Sequence, residues 1–254
     1  MSQRQPKVRL FVEAGLAAGV AVPLSTEQAH YAARVMRLPD GASIALFNGR
    51  DGEWSALLAV AAKGRCTAVP RERLRHQAAV PDLHLLCAPP KRQAFDLIVQ
   101  KATELGVAAI RPVLTERTVP DRVNLQRLGS IAREAAEQSE RLDVPAIEPP
   151  RALGPILGGW DPARRILLCD ERGRGQSIAN ASAWPRGGSW AVLTGPEGGF
   201  TARELDALRD LPFVTSIGLG PRILRAETAA IAALAVWQAL LGDWDDGPPP
   251  DPLR

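Results

Sequence analysis

The chain has 254 residues, of which 46% are hydrophobic and 23% charged, and a formal net charge of +3. These values indicate a folded globular protein and exclude a disordered chain. We expect Cys66, Cys87 and Cys169 to be buried thiols in a reducing compartment, since they form no Cys-x-x-Cys pair. The three histidines show no metal-ligand spacing, so no metal is expected. No apolar run is long enough to span a membrane, and no secretory signal is evident. We therefore expect a cytoplasmic protein without a membrane partner.

Charge is distributed unevenly along the chain. Residues 1–82 contain 11 Lys and Arg against 7 Asp and Glu, whereas residues 83–254 contain 20 against 21. A small basic part beside a larger neutral part suggests an anion-binding module attached to a catalytic one. An ordinary solvated surface would also explain these charges, and charge alone does not decide between the two.

The first predicted domain, residues 1–74, contains short strands and one helix, a pattern that suggests a small β-barrel. Ser25 is placed to cap the helix, and Gln28 completes a capping box. Strands are predicted at residues 8–12, 43–47, 53–60 and 65–70, with turns at Asn48-Gly49 and Lys63-Gly64. Residues 75–82 are predicted to be a linker.

From Leu83 onward, strands and helices alternate, which predicts a mostly parallel sheet with helices on both faces. Strands are predicted at residues 83–88, 107–113, 166–169 and 191–193, and helices at residues 91–105, 125–139, from 201 and 226–241. The last helix is apolar on almost every side, so it is expected to lie in the core or at a subunit interface. This domain is predicted to span residues 83–246, and the tail 247–254 to be disordered.

Two loops near the end of the chain each lie between a strand and a helix, where open α/β sheets bind ligands. The first follows Leu193 and contains three glycines within five residues, Gly195, Gly198 and Gly199. The pattern is neither a Walker phosphate loop nor a dinucleotide fingerprint. Glu197 would repel a phosphate, so a neutral or cationic ligand is favoured.

These loops, Leu193-Thr194-Gly195-Pro196-Glu197-Gly198-Gly199 and Leu219 to Ala229, resemble those of the RsmE family of ribosomal RNA uridine-N3 methyltransferases, in the SPOUT superfamily. Three further stretches resemble the same family in the same order, at residues 30–38, 100–107 and 134–139. Ribose-methylating relatives carry a Ser-Leu-Asn signature where this chain has Arg225-Ala226-Glu227-Thr228. One departure is Glu140, at a position where family members often have Gly.

The resemblance implies a PUA-like β-barrel followed by a SPOUT α/β domain with a trefoil knot. Without it, we would predict an unknotted doubly wound sheet, because knots are rare. It also implies a homodimer that binds S-adenosylmethionine in a bent conformation. The implied activity is methylation of N3 of one uridine in small-subunit ribosomal RNA, in the assembled subunit. A ribose 2′-O-methyltransferase and a non-catalytic RNA-binding assembly factor remain alternatives.

The resemblance also implies site residues. The predicted cofactor pocket has two walls, Leu193, Thr194, Gly195, Glu197, Gly198 and Gly199 on one side and Ile217, Leu219, Gly220, Ile223, Leu224 and Arg225 on the other. Glu227 is the candidate base for the N3 proton, with Arg225 or Arg222 stabilising the uridinate. Alternatively, Glu227 only occupies a favourable first helical turn, and Arg225 holds a partner subunit. RNA contacts are predicted at Arg9, Arg34, Arg37, Lys91, Lys101 and Arg141, although these could be ordinary surface cations.

Overall fold

A computed structural model of the protein describes residues 6, 8–61, 64–119, 123–171 and 175–246. The predicted disordered tail and part of the predicted turn at Lys63-Gly64 lie outside these residues. The described chain forms two compact units, residues 6–79 with 136–144, and residues 80–135 with 145–246. The predicted domains are continuous in sequence, whereas the first unit also takes in residues 136–144.

The first unit is built on a five-stranded sheet in the order β1-β3-β4-β5-β2. Its strands are β1 (Arg9–Phe11), β2 (Val22–Pro23), β3 (Ser43–Phe47), β4 (Glu53–Val60) and β5 (Cys66–Arg75). β1 and β3 pair in parallel and the other pairs are antiparallel. β5 runs five residues past the predicted end of its strand, because its later residues continue to pair with β4.

The helix of this unit begins with the predicted capping box. Helix α1 (Thr26–His30) has Ser25 as its N-cap, and the Ser25 and Gln28 side chains bond reciprocally to each other's backbone. The chain then widens into a π-helix, Tyr31–Val35, closed by a bond from Met36 N to the Tyr31 carbonyl. Arg37 ends it in the left-handed conformation, with φ of 51°.

The segment 136–144 packs into the first unit through Arg9. The Arg9 guanidinium donates to the carbonyls of Ala136, Glu137 and Arg141 and pairs with Glu53. The side chains of Arg9 and Arg141 are only 12% and 8% exposed. Sequence reasoning placed both arginines on the RNA surface. We correct that prediction, because both guanidinium groups are used in internal packing.

Glu140, in the same segment, has φ of 61°. A left-handed backbone costs an L residue roughly 1 kcal/mol more than glycine. Glycine would avoid this cost, in agreement with the glycine that the resemblance led us to expect here. The Glu140 carbonyl accepts a bond from Arg75 at 2.8 Å, which helps to hold the strained turn.

The second unit is built on a parallel sheet in the order β11-β13-β10-β12-β6-β7-β8, with β9 paired to β7. Every strand pair recorded in it is parallel, as predicted. Its strands are β6 (Leu83–Cys87), β7 (Ala109–Leu114), β8 (Ala146–Ile147), β9 (Arg151–Ala152), β10 (Arg165–Cys169), β11 (Gln176–Ser177), β12 (Trp190–Thr194) and β13 (Val214–Gly218).

The helices of the second unit confirm the main predictions and add one short helix. They are α2 (Arg92–Glu104), α3 (Leu125–Gln138, whose last residues belong to the first unit), α4 (Leu153–Gly158), α5 (Ala202–Arg209) and α6 (Ala226–Leu241), with 3₁₀ turns at Ile178–Ala183 and Trp244–Asp246. α4 was not predicted, since its six residues include two glycines and one proline. None of the described helices is long and apolar enough to cross a membrane.

Helix α6 has the predicted bounds, but its burial is less complete than its composition suggests. Leu234, Trp237 and Leu241 are buried, whereas Ile231, Val236 and Leu240 are only partly buried in the single chain. The helix therefore has one face in the core and an apolar remainder that the described chain covers incompletely.

Candidate active site

The carboxyl ends of β10 and β12 meet the first turns of α2 and α6 around a cavity of about 1120 Å³. This volume is slightly larger than the range typical of small-molecule pockets. The position agrees with the rule that parallel α/β sheets bind ligands beyond the carboxyl ends of their strands. The lining residues of the sheet side include Cys169, Glu171 and Thr194.

The glycine-rich loop, residues 195–200, forms one wall and is held by hydrogen bonds to three distant segments. The Glu197 carboxylate accepts the backbone N–H of Lys91 at the start of α2. Arg117 donates to the Gly198 carbonyl at 2.8 Å, and Glu171 accepts the N–H of Phe200 at 3.0 Å. These contacts fix the loop before any ligand binds.

Helix α5 begins directly after this loop and fixes its end. Thr201 and Glu204 form the predicted capping box, and Leu205 and Leu208 are buried as predicted. The Glu204 carboxylate also accepts the N–H of Glu116 at 2.8 Å.

Two of the three glycines are required by local geometry. A Cβ on Gly195 would lie 2.9 Å from the ring of Phe200, which is fully buried. Gly199 has φ of 64°, and a Cβ there would lie 2.4 Å from the Glu171 carboxylate. A Cβ on Gly198 would make only ordinary contacts with Arg117 at 3.6 Å. The third glycine is therefore not needed for packing.

The backbone before Glu171 is anchored by a buried ion pair. The Asp170 side chain is fully buried and accepts from Arg209 at 2.6 Å. This hydrogen bond raises the pKa of the Arg209 guanidinium above its ordinary value. The Asp170 N–H also donates to the Ile217 carbonyl, which ties the end of β10 to β13.

The second loop, residues 219–225, forms the opposite wall and is much less constrained. Residues 220–224 form no hydrogen bond with any described residue. Ile223 is 89% exposed although its side chain is apolar. Arg225 is the N-cap of α6 without a side-chain cap bond, and Glu227 is half-buried in the first turn of that helix.

The structure brings most of the predicted pocket residues together. Those that line the cavity are Thr194, Gly195, Glu197, Gly198, Gly199, Ile223, Leu224, Arg225 and Glu227. Four other predicted pocket residues do not line the cavity. Leu193 and Ile217 are fully buried inside their strands. The other two are Leu219 and Gly220. Arg222 is exposed and also lies outside the lining.

Several lining residues were missed by sequence reasoning. They include Pro89, Gln93, Leu97, Arg117, Val119 and Glu171, and Lys91, which was predicted only as an RNA contact. Arg117 and Glu171 bond to the glycine-rich loop across 81 and 29 positions of sequence. No local sequence pattern predicts contacts between residues so far apart in the chain. Only the Pro-Pro pair ending β6 gave a signal, since it marks a strand end at the site edge.

The two thiols near the cavity, Cys87 and Cys169, are expected to be unreactive. Burial raises the pKa of Cys87 to about 12, with Thr194 opposing and Glu197 adding to the shift. Burial likewise raises the pKa of Cys169 to about 12, with further contributions from Cys87 and Glu171. Thiols held in the neutral form are poor nucleophiles. The cysteines are buried as predicted.

The other predicted RNA contacts differ in their surroundings. Arg34 and Arg37 are exposed on the π-helix and its end, next to exposed Val35 and Met36. Lys101 pairs with Glu104 at 2.9 Å, a partly exposed ion pair. Within the described residues, no group of three or more His, Cys, Asp or Glu side chains is arranged to hold a metal ion.

Comparison with known proteins gives a consistent set of relatives. A family model described as an RNA methyltransferase domain matches residues 76–238, and one described as an RNA methyltransferase PUA domain matches residues 24–71. The ribosomal RNA small subunit methyltransferase E of Rickettsia conorii is 34% identical over 229 residues, covering 89% of this chain and 93% of that protein. The Synechocystis protein of the same name is 38% identical over 225 residues, covering 87% and 73%.

Solved structures show the same similarity. A ribosomal RNA small subunit methyltransferase E from Neisseria gonorrhoeae, bound to S-adenosylmethionine, superposes with a TM-score of 0.85 at 29% identity. The match covers 93% of this chain and 99% of that one. A putative methyltransferase from Legionella pneumophila, also in complex with S-adenosylmethionine, gives 0.83 at 28% identity and covers 93% and 98%.

Proposed function

This chain belongs to the family of ribosomal RNA small subunit methyltransferases E, and from that premise we propose that it methylates N3 of a uridine in small-subunit ribosomal RNA, with S-adenosylmethionine as methyl donor. The observation that carries the proposal is the cavity between the two loops, with Arg225 and Glu227 at its edge. It joins a close-fitting glycine wall to a cation and a carboxylate, the groups that this reaction requires.

The cavity suits S-adenosylmethionine in size and in wall chemistry. Gly195 and Gly199 have no side chains to cover the loop, and the space that a Cβ would take is filled by Phe200 and Glu171. This wall of the cavity is therefore formed largely by loop backbone, whose amide and carbonyl groups can bind a ligand. Leu97, Ile223 and Leu224 offer apolar surface for an adenine ring. When bound, this cofactor supplies a methyl group activated by a positively charged sulfur.

Uridine N3 carries a proton and becomes a good nucleophile only when that proton is lost. We assign Glu227 as the general base that accepts it, because its carboxylate lines the cavity and forms no ion pair with a described residue. Arg225 lies two residues earlier and would stabilise the negative charge that develops on the uracil oxygens. Arg222 lies outside the cavity lining, so its predicted role is the weaker of the two. The target base would have to leave its stack to reach this site.

The proposed RNA surface of the first unit consists of Arg34 and Arg37, with Lys91 and Lys101 as contacts on the second unit. Arg34 and Arg37 are exposed on a strained, π-helical segment, and such local strain is often found at functional sites. Contacts of this kind neutralise phosphates, so binding should weaken steeply with added salt. We further propose that the substrate is the assembled small subunit, and that the protein acts in the cytoplasm.

We also propose a homodimer and a trefoil knot in the second unit. The partly covered apolar residues Ile231, Val236 and Leu240 on α6 support a subunit interface. The knot is proposed from the family resemblance, since a strand order with β10 between the later strands β12 and β13 also occurs in unknotted doubly wound sheets. Sedimentation equilibrium at several concentrations tests the dimer, and a monomer at every concentration would contradict it.

The central test is methyl transfer from labelled S-adenosylmethionine to small subunits that lack the modification. We expect 3-methyluridine after digestion of the RNA, and a methyl group on ribose would overturn the proposed chemistry. Glu227→Gln should lower kcat by at least about 100-fold. Its cofactor affinity should change little. Glu134→Gln, an exposed change on α3, is the matched control and should leave kcat unaltered.

A further inference from the structure

Glu171 lies where the end of β10 meets the glycine-rich loop, and its carboxylate fills a slot left by Gly199. One oxygen, Oε1, accepts the N–H of Phe200 at 3.0 Å. A Cβ on Gly199 would fall 2.4 Å from the same oxygen. The acid and the loop are therefore fitted to each other, and Glu171 is held at a fixed place on the cavity wall.

Holding the loop does not by itself require a negative charge. An amide oxygen would accept the Phe200 N–H as well, yet the residue is an acid that lines the cavity. Its second oxygen, Oε2, forms no hydrogen bond or ion pair with a described residue. The neighbouring Asp170 pairs with Arg209, so that cation is already engaged.

The other charged side chains of the glycine wall are used differently. All three charged residues, Glu171 included, are exposed, but Glu197 accepts the backbone N–H of Lys91, and Arg117 donates to the Gly198 carbonyl. Glu171 thus places on the cavity wall, next to the buried Phe200, a carboxylate oxygen that has no partner among the described residues. A cationic ligand group is the natural complement to such an oxygen.

We propose that Glu171 binds a cationic group of the cofactor. This inference rests on the proposed function, because it takes S-adenosylmethionine as the ligand. The cofactor carries two cations, the sulfonium and the α-ammonium. The sulfonium charge disappears when the methyl group leaves, whereas the ammonium charge stays. If Glu171 faces the sulfonium, its charge favours the cofactor and promotes release of the product.

Calorimetric titration with three ligands tests the proposal. S-adenosylmethionine has both cations, S-adenosylhomocysteine has only the ammonium, and 5′-methylthioadenosine has neither. Glu171→Gln keeps an oxygen for the Phe200 N–H and removes the charge. We expect it to lower one of two affinity ratios by roughly fivefold or more. The first ratio compares S-adenosylmethionine with S-adenosylhomocysteine, and the second compares S-adenosylhomocysteine with 5′-methylthioadenosine. Glu171→Asp keeps the charge, so it should preserve both ratios even if overall binding weakens.

Glu148→Gln is the matched control. It removes the same charge from the same unit, but Glu148 pairs with Arg111 and does not line the cavity. It should change neither ratio. A fall in the first ratio identifies the sulfonium as the group bound, and a fall in the second identifies the ammonium. Equal losses for all three ligands, or no losses, overturn the inference. Failure of the wild-type protein to bind S-adenosylmethionine would instead overturn the proposed function.

Discussion

The two walls of the cavity are built in opposite ways. The glycine-rich loop, residues 195–200, is bonded by Lys91, Arg117 and Glu171 from three other segments. The second loop, residues 219–225, has an apolar residue 89% exposed and no hydrogen bonds from residues 220–224 to the described chain. One wall is preorganised and the other gains its contacts from the ligand. Substitutions in the first wall should therefore change stability and binding together, and substitutions in the second should change binding alone.

The largest effect is expected from Gly195→Val. Its branched side chain would overlap the fully buried Phe200 ring, so the core beneath the loop must shift. Overpacking of this kind costs about 1–3 kcal/mol, and cofactor binding should be lost with it. Urea unfolding and calorimetry measure the two quantities. Gly198→Val is the control, since a Cβ there makes only ordinary contacts with Arg117. Equal destabilisation by both variants would contradict the proposed packing role of Gly195.

The second prediction concerns the overall stability of the protein, independently of the two walls of the cavity. His84, at the start of β6, is partly buried, with 12% of its side chain exposed. Burial is the main cause that lowers its pKa to about 4, Arg164 and Arg111 lower it further, and Asp82 opposes them. Between about pH 6.5 and 4 the unfolded chain binds a proton that the folded protein does not. Stability should therefore fall as the pH drops, by about 1–2 kcal/mol between pH 7.5 and 5.

Urea unfolding at several pH values measures this dependence, and His84→Phe should flatten it. The variants of the two loops should differ in the same way when they are made in the His84→Phe protein. That result would show that the difference between the two walls does not depend on the overall stability of the protein. An unchanged pH profile in His84→Phe would show that another group causes the dependence.

Arg117→Met should have a smaller effect. It removes one charge-assisted hydrogen bond to the Gly198 carbonyl and keeps most of the side-chain volume. We expect about 1 kcal/mol less stability and a several-fold weaker affinity for S-adenosylmethionine, because the first wall loses one of its three side-chain bonds. Arg203→Met, an exposed change at the start of α5, is the control. Weaker binding at unchanged stability would show that Arg117 affects binding alone, as is expected of residues in the second loop.

The smallest effect on stability is expected from Ile223→Ser. Because Ile223 is already 89% exposed, its replacement should change the free energy of unfolding by less than about 0.5 kcal/mol. Its apolar surface would be covered only by the ligand, so cofactor affinity should fall roughly threefold to tenfold. Thermal unfolding with and without S-adenosylmethionine measures both. A clear loss of stability without the ligand would show that the second loop is packed in the free protein.

The sequence was sufficient for features that depend on neighbouring residues. Both capping boxes, at Ser25 and Thr201, and the bounds of α6 follow from local patterns. The parallel sheet of the second unit follows from alternating strands and helices. Burial of Arg9 could not be predicted, because its partners at residues 136, 137 and 141 lie more than a hundred positions away.

The candidate site shows the same contrast between local features and contacts between distant residues. The glycines were found because all three lie within five residues, whereas Arg117 and Glu171 were missed because they reach the loop from other elements. Leu193 and Ile217 were placed in the pocket because the family resemblance implied it, but both side chains are fully buried in the core. Sequence reasoning thus predicted the two loops that border the cavity and could not tell which neighbouring side chains line it.

The position of β12 between β6 and β10 has a consequence for how the chain folds. β6 pairs on one side with β7, which follows soon after it, but its other side waits for β12. Asp82 and Ser189, which bond across this junction, are 107 positions apart. At a synthesis rate of about 5–20 residues per second, the open edge of β6 stays unpaired for roughly 5–20 s on the ribosome. An exposed strand edge is prone to aggregation, so the nascent chain should depend on chaperones during this interval.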